Sequence, residues 1–134
     1  MSFALTCYGK LNLWWTGPRC LHTDEIARLP NSLGGVYVLM AFSPRSPRFV
    51  PYYVGQSADI ARRLDEHTSS PKQFLFDIHR YLRTYFAVAR ILHPMVRTAA
   101  EAALIRGLKP VGNDSVPDIF PIAVNPPPTD LLPP

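Results

Sequence analysis

Apolar positions along this chain change period several times, and each change marks a predicted element. Gly34-Gly35 opens Val36-Tyr-Val-Leu-Met-Ala-Phe42, a β-branched and aromatic run that predicts a strand. Ser43 to Pro47 reads as a loop, and Phe49 to Val54 as a second strand. Pairing Tyr37 with Tyr53 in a simple hairpin also pairs Leu39 with Pro51 and Ala41 with Phe49, which sets both tyrosines on one face. Pro51 lacks a ladder donor and implies an edge or a bulge, and a bulge would move that register. Helical spacing follows over residues 58–68, with Ser57 as cap. A second helix is expected over 71–83, where Ser70 caps, Pro71 takes the first position and Gln73 completes a capping box. Thr84 to Leu92 predicts a third strand, and Thr98 to Arg106 a last helix that stops near Gly107 and Pro110.

The flanks are less periodic. Residues 1–33 form a lead-in, expected to pack on the domain, with one short helix from Asp24 to Leu29 capped by Thr23 and ended by Pro30. From Pro110 onward eight of 25 residues are proline, so no packed element is expected there, and 126–134 reads as an extended tail. The order β-β-α-α-β-α predicts an α+β fold, a small antiparallel or mixed three-stranded sheet flanked by helices. The expected division is the lead-in 1–33, a domain at 34–113 and a proline-rich tail at 114–134.

Helical phase singles out three side chains. At about 100° per residue, Ile60 and Leu64 define the buried stripe of the first long helix, and His67 falls within about 20° of Ile60. Arg63 lies about 60° to one side, whereas Arg62 lies about 160° away, facing water where Glu66 can pair with it. Arg63 and His67 thus sit one turn apart at the core margin. Two readings are open: an arginine stem covering the core edge beside a histidine satisfied by a backbone carbonyl, or a pair built for chemistry. On the last helix Leu104, Ile105 and Leu108 form the apolar stripe, and Glu101 lies on it. A buried carboxylate needs a compensating partner. Arg97, one turn earlier, is one candidate, and a divalent ion with a taste for oxygen ligands is the other.

Composition narrows the field. The chain has 134 residues, enough for one core, and no apolar run long enough to cross a bilayer. A signal peptide is not evident at the start, and Cys7 and Cys20 lack metal-ligand spacing, so a cytoplasmic protein with reduced thiols is expected. Eleven of the 14 basic residues are arginine, whose planar fork suits phosphate, and the net charge is +4. Lys72, Arg80 and Arg83 share one face of the second helix with His79, which suggests a phosphate-tracking surface; a solvated helix face would look the same. P-loop, Gly-x-Gly-x-x-Gly, His-Glu-x-x-His and Gly-x-Ser-x-Gly signatures are absent.

These residues fit a known pattern. Gly35-Val36-Tyr37 on the first strand and Tyr53-Val54-Gly55 on the second resemble the two name-giving elements of the GIY-YIG nucleases. The stretch from Tyr53 to His67 is similar to that family's segment running into its first helix. Glu101-Ala-Ala-Leu-Ile-Arg-Gly-Leu-Lys-Pro-Val-Gly-Asn113 resembles its distal block. Valine stands twice for isoleucine, and the two tyrosines lie 16 positions apart, a longer hairpin than the compact family form. The resemblance spans about residues 34–113 and implies a stand-alone, metal-dependent endonuclease that hydrolyses phosphodiester bonds in DNA. It implies catalytic roles for Tyr37, Tyr53, Arg63, His67 and Asn113. Glu101 would ligate one divalent cation, Mg²⁺ or Mn²⁺. The partner expected is nucleic acid, with no membrane. The alternative is a non-catalytic module binding nucleic acid or another partner on the same fold.

Overall fold

A computed structural model describes residues 9–43, 45, 47–69 and 83–130. Its centre is β3 (Gly35–Ser43), a run buried from Gly35 to Ala41 because it has a strand on each side and packing on both faces. The β3 strand pairs antiparallel with β4 (Arg48–Ser57) and with β5 (Thr84–Arg90). The sheet has a fourth strand where three were expected. From the lead-in, β2 (Trp15–Cys20) adds to the free edge of β5, giving the order β2-β5-β3-β4. Its Trp-Thr-Gly-Pro-Arg-Cys sequence has neither alternation nor an apolar run, so only the pairing with β5 makes it a strand.

The hairpin register also differs from the simple pairing. Tyr37 faces Gly55 and Leu39 faces Tyr53, after which a bulge at Tyr52 brings Met40 opposite Pro51. Pro51 is tolerated because β4 is an edge strand. Ser43 pairs with Arg48, so the extra residues between the tyrosines lengthen the strands themselves more than the loop tip.

Two apolar layers cover the sheet. Val36, Val38 and Met40 point to the layer built by α3 (Pro94–Leu108) through Ala100, Leu104 and Ile105. Tyr37, Leu39 and Ala41 point to the opposite layer, where Ile26 of α1 (Thr23–Ile26) and Ile60 and Leu64 of α2 (Ile60–Ser69) pack. Two caps differ from expectation. His22, not Thr23, caps α1 by accepting from the Asp24 amide at 3.2 Å. Helix α3 starts one turn before Thr98, because His93 accepts from the Met95 amide and Pro94 occupies the first turn, where a missing N–H costs nothing. The helix expected over 71–83, with Lys72 and Arg80, lies outside the described residues except for Arg83. That residue is exposed, non-helical, and accepts from the Phe42 amide through its carbonyl.

The segment after Pro110 is packed, against expectation. Strand β6 (Ala123–Val124) pairs in parallel with β1 (Lys10–Leu11), and Asn125 clamps Leu13 by accepting from its amide at 2.6 Å and donating to its carbonyl at 2.9 Å. The same segment covers the outer edge of β4, where the Phe49 amide donates to the Thr129 carbonyl and the Gly112 amide to the Tyr52 carbonyl. Proline removes donors, yet a segment that accepts through carbonyls and borrows an asparagine amide can still close an edge. No helix among the described residues is long and apolar enough to cross a membrane.

Candidate active site

The site is assembled around the β4 edge, where side chains from both layers converge. Tyr37 is 1% exposed, and its ring crosses β4 over Gly55. A Cβ on Gly55 would collide with the Tyr37 hydroxyl, so the space above that residue belongs to the phenol. The Tyr37 Oη lies 2.8 Å from His67 Nε2. Burial pushes the Tyr37 phenol well above its usual range; neighbouring Tyr53 adds to this, and the charge of Arg63 partly offsets it. Tyr53 reaches the same cluster, because the bulge turns Tyr52 and Tyr53 together toward the layer of α1 and α2. Ring centroids of Tyr53 lie 6.3 Å from Tyr37 and 5.4 Å from His67.

Gly55→Ala is therefore expected to destabilise the protein by about 1–3 kcal/mol, the usual cost of overpacking a filled site. Urea unfolding measures it, and an unchanged midpoint would contradict the placement of Tyr37 over β4.

Helix α2 supplies the other two groups in the predicted phase. Asp59 accepts from the Arg62 amide at the helix start, so it, rather than Ser57, caps the helical turn. His67 is buried and takes the Tyr37 hydroxyl as a partner. Glu66 pairs with Arg63 at 3.1 Å, not with Arg62 as expected, while the Arg63 side chain stays 39% exposed. Partial burial works to lower the Arg63 pKa, but Glu66, Tyr37 and Tyr53 together raise it. This guanidinium is a permanent cation beside two phenols.

From the opposite layer α3 brings Glu101. Its carboxylate is half-buried and accepts from Gln56 Nε2 at 3.3 Å, and the same amide donates to Thr98 Oγ1 at 2.9 Å. Burial raises the Glu101 pKa, and the bond from Gln56 only partly restores it. Arg97 does not pair with Glu101; its guanidinium turns to the carbonyls of Ile91 and Leu92. Among the described residues no cation forms an ion pair with this carboxylate. Gln56 was absent from the sequence-based candidates, although Val54 and Gln56 alternate onto the α3-facing side, where an amide needs a partner.

Glu101 opens on a cleft of about 300 Å³, shared with Tyr53, Asn113, Asp114 and Ser115. Asn113 closes one wall by pairing with a backbone. Its Oδ1 accepts from the Val54 amide and its Nδ2 donates to the Val54 carbonyl, both at 2.8 Å. In this way its side chain extends the sheet by one rung between Tyr53 and Gly55. Among the described residues no three His, Cys, Asp or Glu side chains converge to cage a metal. A half-buried carboxylate with no cation, beside an open polar cleft, suits a hydrated divalent ion, because Mg²⁺ keeps several waters and needs only one or two protein carboxylates.

An edge-built cluster on a four-stranded antiparallel sheet with helices on both faces defines the class: the chain has the GIY-YIG fold. It resembles the N-terminal GIY-YIG endonuclease domain of UvrC from Thermotoga maritima, solved as point mutants bound to its catalytic divalent cation. For one tyrosine-to-phenylalanine mutant the TM-score is 0.53 at 20% identity, covering 69% of this chain and 96% of that one. A second such mutant gives 0.52 at 20% identity, with 68% and 94% covered. An asparagine-to-alanine mutant gives 0.51 at 19% identity, with 69% and 96% covered. No family model matches the sequence, and no curated protein matches it either.

Proposed function

We propose that this protein is a divalent-metal-dependent endonuclease that hydrolyses phosphodiester bonds in DNA. The observation that carries the reading is Glu101: a half-buried carboxylate without an ion-pair partner among the described residues, opening on the same cleft as Tyr53. A purely structural glutamate at that depth would be expected to find a cation, and Arg97 one turn away is turned elsewhere.

Hydrolysis needs an oriented water, neutralised non-bridging oxygens and a stabilised leaving oxygen. Tyr53 borders the cleft and orients the water, whose oxygen attacks phosphorus as the bond to the leaving oxygen breaks and a proton of the water ends on that oxygen. The charge of Arg63 favours negative charge developing on the phosphate oxygens. Tyr37 and His67 are positioning residues, since their 2.8 Å bond locks two buried rings against Tyr53. Asn113 positions Tyr53 through Val54 of the same strand. Glu101 would hold one Mg²⁺ or Mn²⁺, with water filling the other positions, and such an ion supplies charge stabilisation at the leaving oxygen.

The test is incubation of supercoiled plasmid with the purified chain, with and without Mg²⁺ or Mn²⁺. Nicking or linearisation that stops on chelation supports the reading. Intact plasmid under every condition, with nucleic-acid binding retained, would return the protein to a non-catalytic binding module.

A further inference from the structure

A second cluster of arginines lies at the opposite edge of the sheet, away from the groups assigned to hydrolysis. Trp14 is 90% exposed at the entry to β2. It borders a cleft of about 380 Å³ together with Arg19, Arg28 and Arg90, on a floor that includes Leu29 and Val88. Glu25 is shared between Arg19 at 4.0 Å and Arg28 at 3.8 Å, so two guanidiniums divide one carboxylate. The cleft is positively charged, has an apolar floor and carries one large aromatic at its rim. A lone exposed tryptophan needs no explanation, but a tryptophan beside arginines that outnumber the carboxylate they share matches a base to stack and phosphates to neutralise.

Strand register places this cleft at the far edge of the sheet from the Glu101 site. Trp15 pairs with Ala89, Ala89 with Val36 and Val36 with Gln56, the residue that donates to Glu101. That row runs from Trp15, the neighbour of Trp14, across three strand intervals on the α3-facing side of the sheet, whereas the cleft lies on the other face. Val88 belongs to the layer of Tyr37, Ile60 and Leu64, so the cleft opens on the face that carries Arg63 and His67.

Resting on the nuclease reading, we infer that Trp14, Arg19, Arg28 and Arg90 form a docking site for an unpaired stretch of the nucleic acid, outside the point of cleavage. Trp14 stacks on a base, and the arginines take the flanking phosphates. The lead-in thereby contributes an element of substrate selection that the catalytic groups lack.

The probe is a fluorescent ten-nucleotide oligodeoxythymidylate, titrated with the full chain in EDTA at several salt concentrations. Trp14→Ala should weaken binding at least about fivefold, the lower end of the effect of losing one stacked base, and Trp14→Phe should restore most of it. Arg90→Ala should lower the slope of log affinity against log salt by about 0.7, the value for one single-strand phosphate contact. Both side chains are exposed, so neither change endangers the fold. Wild-type affinity and slope in both Trp14→Ala and Arg90→Ala, or no oligonucleotide binding by the wild type, overturn the docking site. Cleavage of plasmid by the wild type is scored separately. A chain that binds through Trp14 yet never cleaves keeps this site and overturns the nuclease reading, and the converse result overturns only the site.

Discussion

Glu101→Gln is expected to reduce metal-dependent cleavage about a thousandfold or more, because the several kcal/mol of charge stabilisation supplied by a divalent ion goes with its ligand. The substitution keeps the side-chain size, and its amide oxygen can still accept from Gln56. Mn²⁺ binding, followed by electron paramagnetic resonance, should weaken in parallel. Oligonucleotide affinity in EDTA should persist, since arginines supply it. Stability offers an independent readout. Burial raises the Glu101 pKa above its ordinary 4.5, so between that value and the raised one the folded state binds more protons than the unfolded state. Metal-free wild type therefore loses stability as pH rises through this window, and the Gln variant lacks that component. The variant should unfold at higher urea than wild type at neutral pH, with the gap closing once both side chains are neutral in acid. Mn²⁺ should then stabilise wild type and not the variant. A purified variant with full cleavage activity would remove Glu101 from the metal site.

Arg63→Ala should slow single-turnover cleavage at saturating protein by a hundredfold or more, about 2.7 kcal/mol, as for loss of one donor aimed at developing charge. Arg62→Ala is the internal control, one residue away on the exposed face of α2. Its effect should be small. Arg63→Lys should fall between, because the charge survives and the planar fork does not. Burial gives the physical reason for the contrast: Ile60, Leu64 and His67 face the core, and Arg63 lies on the flank that meets Tyr37 and Tyr53. Greater sensitivity at Arg62 than at Arg63 would show the helical phase to be wrong, and the site assignment with it.

Much of the site was legible because its parts obey local rules. Helical phase set His67 on the buried stripe of α2 and Arg63 beside it, and the structure keeps both placements. The apolar run of β3 announced a strand buried on both sides. Where local rules competed, the reading slipped. Glu66 lies four residues from Arg62 and three from Arg63, and spacing alone favoured the wrong partner. Arg97 lies one turn from Glu101, but the unpaired carbonyls of Ile91 and Leu92 claim its guanidinium.

The sequence by itself determined on which kind of element each candidate side chain sits, since periodicity and capping act within a few residues. Only the tertiary structure decided how they meet. The hairpin register differs from the simple pairing by two residues at Tyr37 and, past the bulge at Tyr52, by one, yet Tyr53 stays in the layer of Tyr37. Trp15–Cys20 became a strand only because β5 had an open edge, and Asn113 became a rung of the sheet only because β4 had another. Glu101 and Tyr37 come from opposite faces, yet the charge of Glu101 is felt at the Tyr37 phenol. Backbone groups left unpaired at a sheet edge take whichever distant segment packing delivers, and no local pattern in the sequence specifies that choice.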